Sequence, residues 1–365
     1  MYGFLLILLI PIAGLSYLSW HLWCILPMPS SIKWTVIILC WLAVLLLFVS
    51  IGSVLDHLPM ALASIIYNVS TSSIFVLLYG VMLFLLLDIG RLVRLIPRSW
   101  LYSNWISTAA IVIFLTAVFV YGNRNYNRKV RQSISVGTDK NIKKDLRLVL
   151  VSDLHLGYHN RADEFRRWVD MINSEQPDAV LIAGDIIDRS VRPLREDSMA
   201  TIFRQINAPI YASMGNHEFY AGVSEAEKFY ADAGITLLRD STVLTRDNLR
   251  IIGRDDRTNV LRKRVKQLVA DIGNDEFTIL LDHQPYHLEE AERAGIDYQF
   301  SGHTHHGQVW PISWITDAIY EDAFGIWQRG HTQYYVSSGL GIWGGKFRIG
   351  TRSEYIVLTI KKNSN

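Results

Sequence analysis

Leu146-Arg147-Leu148-Val149-Leu150-Val151-Ser152-Asp153 is the stretch on which the fold turns. An apolar, valine-rich run of this length that ends in a carboxylate reads as a buried strand handing a polar side chain to the loop behind it. Four later segments repeat the arrangement: residues 178–185 (DAVLIAGD), 208–214 running into Gly215-Asn216-His217-Glu218, 277–283 (FTILLDH) and 296–303 (IDYQFSGH). Between the first two, Phe165 to Ser174 has helical spacing, so the pattern is strand, loop, helix in alternation, that of an α/β unit. In open α/β sheets ligands bind just outside the carboxyl ends of the strands. The five tips are therefore expected to converge on one site.

Read together, the tips supply Asp153-x-His155, Gly184-Asp185-x-x-Asp188-Arg189, Gly215-Asn216-His217-Glu218, His283 and Gly302-His303-Thr304-His305. Carboxylate, imidazole and amide without sulfur suit borderline divalent ions such as Mn2+, Fe2+ or Zn2+. Two such ions about 3.5–4 Å apart can clamp the attacking and leaving oxygens of an in-line displacement at phosphorus. Each motif alone is weak; the ordered series, each member at the end of an expected strand, is specific.

Residues 148 to about 308 resemble the calcineurin-like metallophosphoesterase superfamily, whose motifs run D-x-H, G-D-x-x-D-R, G-N-H-E, H and G-H-x-H. The resemblance implies two packed β-sheets flanked by helices. It implies one metal on Asp153, His155, Asp185 and His305, and a second on Asp185, Asn216, His283 and His303, with Asp185 bridging. His217 matches the histidine that protonates the leaving group or stabilises charge on the phosphoryl oxygens; with Asp185 it forms the expected catalytic pair, acting with a metal-bridging hydroxide. Asp188, Arg189 and Glu218 are expected to brace the ligands. Gly302 to Val309 is similar to the membrane-linked or exported bacterial branch, which usually reads G-H-T-H-G-G-Q; here His306 replaces a glycine, and either constrains the loop or adds an imidazole beside the pocket. Ser337 to Gly341, Arg348 and Glu354 also resemble that branch, closing the sheet and lining the site. Tyr158, His159, Arg161 and His306 are the candidate substrate contacts.

Outward toward the N-terminus the composition changes. Residues 1–122 hold four basic and two acidic residues, against 32 of each in the remainder, from totals of 36 Lys+Arg and 34 Asp+Glu. That balance excludes the basic excess of a nucleic-acid binder. Cys24 and Cys40 both lie in apolar runs, so there is neither a disulfide framework nor a thiolate metal site. Four apolar stretches, about 3–26, 34–55, 64–87 and 105–121, approach the roughly 20 residues that cross a bilayer, with Trp20, Trp34, Trp105 and Tyr121 near their ends as interfacial aromatics. These form an all-α, four-helix transmembrane anchor over residues 1–122. Residues 123–145 read as a basic juxtamembrane linker, its Arg128, Lys129 and Arg131 within reach of anionic headgroups, and 146–365 as the phosphoesterase domain. Lys33, Arg91, Arg94 and Arg98 balance Arg124, Arg128, Lys129 and Arg131 across the last span. The denser second group favours a multi-pass inner-membrane protein with its catalytic domain in the cytoplasm.

The first function class is thus a membrane-anchored two-metal hydrolase of phosphomonoesters, phosphodiesters or diphosphates. The anchor and the aromatics from Trp310 to Trp343, which read equally as apolar wall or as core, favour a lipid-linked or envelope substrate. The alternative is a membrane scaffold or sensor with a non-catalytic phosphoesterase domain; the complete ligand set argues against it. A transporter would carry ionisable residues at mid-membrane, where this chain has none.

Overall fold

The computed structural model describes residues 2–273 and 275–363. It divides into two compact units, one running to Asn123 with Gly344–Lys346, the other Arg124–Trp343 with Phe347 onward.

The first unit has four helices, α1 (Tyr2–Ile25), α2 (Ser30–Ile51), α3 (Met60–Leu92) and α4 (Trp105–Asn127). Their sequences are apolar all round, so no stripe separates a core side from a wet side, as expected of helices in lipid. Three of them, α2, α3 and α4, are long and apolar enough to cross a membrane. The apolar stretch described in α1 is the shorter Leu9–Ile25. Large apolar side chains stay exposed on α2 (Ile38, Leu39, Leu42) and on α4 (Val112, Ile113, Phe114). Leu15, Leu18, Val44, Leu77 and Phe84 pack the helices together. His21 is buried, stacked on Phe84 at 4.4 Å, with Nε2 3.0 Å from Asp88 Oδ2. It is a packing residue.

The second unit holds two mixed six-stranded sheets. The first has the order β1 (Lys129–Thr138), β12 (Ser353–Lys362), β2 (Leu146–Val151), β3 (Ala179–Ala183), β4 (Ile210–Ser213), β5 (Ile235–Leu237). The second runs β10 (Gly325–Arg329), β11 (Thr332–Val336), β9 (Tyr298–Ser301), β8 (Phe277–Leu281), β7 (Leu249–Gly253), β6 (Ser241–Leu244). Strands β2 to β5 are parallel, as are β7, β8, β9 and β11. Side chains alternate across a strand, and β2 uses both faces. Leu148 and Leu150 join Leu181, Ile279, Leu281 and Phe300 in a shared core. Val149 and Val151 face the other way, against Phe165, Trp168 and Val169 of helix α5 (Ala162–Ser174). Burial on both faces is why this strand is apolar from Leu148 onward.

The stretch 123–145 is not a linker. α4 continues to Asn127, and Lys129–Thr138 pairs in parallel with β12 along its whole length. Val130, Ile134, Val136 and Thr138 turn toward the sheet while Arg131, Ser133, Ser135 and Gly137 stay exposed, the alternation of a half-buried edge strand. The charged and serine residues between them mask it in sequence. Two cations assigned to headgroups are engaged here instead. Arg131 grips Glu175 at 2.7 and 3.0 Å, and Lys129 lies 3.6 Å over the Tyr126 ring.

Candidate metal centre

Each of the five tips carries its polar side chain just past a strand end. Asp153, Asp185, His283 and His303 each stand two residues beyond the end of their strand, and Asn216 three beyond. The turn that makes this possible is a local one. Asp153, His155, Asp185, His303 and His305 all have φ between 45° and 71°, in the left-handed region. Asp and His are among the few non-glycine residues enriched there. Each such residue costs on the order of 1–3 kcal/mol, strain that persists only where the surroundings over-determine it.

Two motif glycines make room for the carboxylates. A Cβ on Gly215 would sit 2.1 Å from Asp185 Oδ1, and one on Gly302 would sit 2.3 Å from Asp153 Oδ2. The backbone N–H of His217 donates to Asp185 Oδ1 at 2.9 Å, and that of His303 to Asp153 Oδ1 at 3.1 Å. Both carboxylates are therefore oriented by the loop opposite.

Three groups of side chains bring their ligand atoms within 4.8 Å of one another: Asp153, His155 and His305; His155, Asp185 and His217; Asp185, His283 and His303. Shared members join them into one cluster. The donor atoms fit divalent cations. His283 donates from Nδ1 to the Ala183 carbonyl at 2.7 Å, which points its Nε2 inward, 3.1 Å from Asp185 Oδ2. Backbone partners of this kind commonly orient a metal-binding histidine. Nε2 of His283 and Oδ1 of Asn216 are buried without a hydrogen-bond partner, a costly state for polar atoms that a cation relieves. His155 and His305 bring their Nε2 atoms 3.0 Å apart.

The electrostatics have the same signature. Burial pushes His155 down, but Asp153 and Asp188 outweigh it and bring it up to about 10. Burial and the neighbouring histidine charges hold His303 at about 4 and His305 at about 3. Burial raises Asp188, yet His155 and His159 win and hold it at about 2. Protons on some imidazoles thus balance the carboxylate charge that cations neutralise when bound.

Bracing side chains stand around the ligands. Glu218, raised to about 7 by burial and by the Asp185 charge, accepts from the backbone N–H groups of Gly215 (2.7 Å), Asp185 (3.0 Å) and Ile187 (3.0 Å). His217 Nδ1 donates to the Asp188 carbonyl, which leaves its Nε2 toward the cluster. Arg348, fully buried and lowered to about 10 by that burial, donates to the His305 carbonyl at 2.7 Å and to the Ser338 carbonyl. Asn160, which no motif marked, donates to the Leu154 and His155 carbonyls, both at 3.0 Å.

The residues after the first motif, expected to contact substrate, turn inward or pair with neighbours in this structure. Tyr158 is 1 % exposed and His159 4 %, with His159 Nε2 2.7 Å from the Ile342 carbonyl. Arg161 clamps Asp197 at 2.5 and 2.6 Å. The loop turns inward because its polar groups satisfy buried backbone. His306 lies stacked on Phe324 at 4.5 Å, 3.3 Å from Asp317, with φ 48°; it occupies a backbone conformation that suits the glycine it replaces. The aromatics divide: Tyr334 and Tyr335 are core, whereas the helix Ile312–Ile319 exposes Trp314, Ile315 and Ile319.

Comparison with known proteins agrees with this geometry. Residues 146–307 match the family model for calcineurin-like phosphoesterases. The chain is 31% identical over 265 residues to an uncharacterized metallophosphoesterase of Campylobacter jejuni, covering 68% of each chain. It is 30% identical to an uncharacterized metallophosphoesterase of Aquifex aeolicus, over 60% of this chain and 87% of that one. It is 31% identical to a transmembrane protein with a metallophosphoesterase domain from Danio rerio, over 78% of this chain and 71% of the relative. The chain belongs to the calcineurin-like metallophosphoesterases, and it is a metal-dependent phosphoesterase.

Proposed function

We propose that the protein is a membrane-anchored two-metal hydrolase of lipid-linked phosphoesters or diphosphates. One ion is held by Asp153, His155, Asp185 and His305, the other by Asp185, Asn216, His283 and His303. The observation that carries this reading is the pair of ligand groups meeting at Asp185. Ions bound there supply charge neutralisation at the phosphoryl group and a water of lowered pKa. The chain's own contribution is orientation. Asp185 is fixed by the His217 N–H, and His217, held through Nδ1 by the Asp188 carbonyl, offers Nε2 to the leaving group or to phosphoryl oxygen. The identity of the metals among Mn2+, Fe2+ and Zn2+ follows from loading experiments rather than from this donor set.

Lipid linkage is supported by the exposed apolar side chains of Ile312–Ile319, which lead into Tyr320, its ring 6.3 Å from that of His303. We count α1 as a fourth span on its 24-residue length, in a multi-pass protein of the inner membrane. The test uses full-length protein in detergent with Mn2+ and bis(p-nitrophenyl) phosphate, beside Asp185→Ala. Turnover is expected for the parent and at least about a thousandfold less for the variant, the scale of lost electrostatic stabilisation in an active site. Equal rates would sink the assignment, and no turnover in either would favour a non-catalytic scaffold. Hydrolysis of a long-chain phosphoester in mixed micelles at the rate of its short-chain analogue would remove the lipid part alone.

A further inference from the structure

A sixth strand tip reaches the same centre. β7 ends at Gly253 and runs into Arg254-Asp255-Asp256-Arg257. This loop is pinned to the residue after a metal-centre histidine: the buried Asp256 carboxylate accepts from Gln284 Nε2 at 3.0 and 2.9 Å, and from Thr258 N and Oγ1 at 2.8 and 2.6 Å. Its arginines fall into two kinds. Arg254 is neutralised by Asp282 (3.1 Å) and Glu290 (2.8 Å), and the nearby Arg262 and Arg239 by Asp282 (2.9 Å) and Asp255 (2.7 Å). Arg257, between Asp256 and Thr258, has no carboxylate partner among the described residues and is exposed. Its guanidinium nevertheless has a fixed seat, 4.0 Å over the Tyr286 ring. That ring lies 4.9 Å from Tyr320, with the two hydroxyls 3.2 Å apart, and Tyr320 in turn lies against His303.

A solvated arginine usually keeps its rotamer freedom. Stacking removes much of it and leaves the edge of the planar fork, which matches carboxylate and phosphate, free to bind. We propose that Arg257, on the Tyr286–Tyr320 shelf, binds a second anionic group carried by the substrate beside the scissile phosphorus. The substrate class is then a phosphoester with a carboxylate or further phosphate on one ester arm. This rests on the metal centre being catalytic, as proposed above. It adds a charge preference that the ligand set alone does not require.

Full-length protein in detergent, loaded with Mn2+, is assayed on three p-nitrophenyl phosphodiesters whose second arm is ethyl, carboxyethyl or choline. The variants are Arg257→Ala, Arg257→Lys and Arg257→Glu. The parent is expected to favour carboxyethyl over choline, mainly through KM. That ratio of kcat/KM should fall about tenfold in Arg257→Ala, roughly one charge-assisted hydrogen bond, be partly kept in Arg257→Lys, and invert in Arg257→Glu. Because each ratio is internal to one protein, a partly folded variant still reports. An unchanged ratio in Arg257→Ala and Arg257→Glu overturns the proposal and leaves the catalytic reading intact. A parent inactive on all three esters overturns both.

Discussion

Glu218 ties together the two loops that hold Asp185, and its replacement should show in both stability and metal affinity. The side chain is fully buried, with Oε2 shared by the N–H groups of Gly215 and Asp185 and Oε1 taken by that of Ile187. In Glu218→Gln the amide NH2 must replace one of these oxygens, so at best it faces the Ile187 donor alone. A buried donor without its acceptor costs about 1–3 kcal/mol. Glu218→Ala orphans three donors, for about 3–5 kcal/mol once relaxation and entering water are allowed. For a unit of this size each 1 kcal/mol lowers Tm by about 2–4 °C. The expected falls are therefore roughly 2–12 °C for glutamine and roughly 6–20 °C for alanine. The assay is calorimetry of the full chain in detergent, with excess Mn2+ and after chelation. The fall should be larger with metal present, since the variants also loosen Asp185 and bind the ions less well. Variants within 1 °C of the parent under both conditions would refute the claim that this carboxylate organises the centre.

Gly215→Ala and Gly302→Ala should keep the fold yet lose bound metal by atomic absorption, because each new Cβ displaces a carboxylate that a substitution elsewhere in the loops leaves alone. Chelation should abolish turnover and lower Tm, by about 2.7 kcal/mol of stability if the free metal had stood at a hundred times its Kd, with Mn2+ restoring both. Glu175 is held below its ordinary range first by the Arg131 hydrogen bonds and then by Tyr355. A depressed carboxyl contributes stability above its unfolded value and loses it as pH falls through the folded one. Glu175→Gln should thus be less stable than the parent at pH 7, and the gap should close in the acid range, as urea titrations can show. Arg161→Ala should leave kcat/KM unchanged and cost at most about 1 kcal/mol, since its Asp197 pair is partly exposed.

How much of this was legible depended on whether a residue's role is local. The five ligand-bearing strands could be read because burial on both faces keeps them mainly apolar, and because each is followed within three residues by Asp, Asn or His. The sixth tip, Leu249 to Asp256, has the same form, but the Arg254-Asp255-Asp256-Arg257 that follows its strand matches none of the ligand motifs. β1 was hidden because an edge strand needs only alternate apolar residues, and its partner β12 lies more than two hundred residues away in sequence. The burial of His159 and Asn160 could not be read, since it is decided by carbonyls at Ile342, Leu154 and His155 that a loop sequence does not reveal. Arg257 carried no signal of its own. Only the neutralisation of Arg254, Arg262 and Arg239 makes it distinctive.

The left-handed turns explain why the site and the fold are inseparable. An unbroken strand spaces Asp153 and His155, or His303 and His305, about 6.6 Å apart along one face, so it cannot aim either pair at the same point. A turn through positive φ at each of these residues reverses the chain within two positions and does so. The turns are strained and the side chains they gather repel or orphan one another, as the His155 and His305 rings and the unpartnered Nε2 of His283 record. What opposes that, beside Arg348 and Glu218, is backbone scaffolding from the neighbouring tips: the Gly184 and Asp185 carbonyls receiving Asp153 and His155 at 3.2 and 2.9 Å, the Ser152 and Asp153 carbonyls receiving Leu340 and Gly341, both at 3.0 Å. Each tip is held by the next. The loops that bear the ligands are consequently held to one another by the backbone of the fold as well as by their ligand side chains.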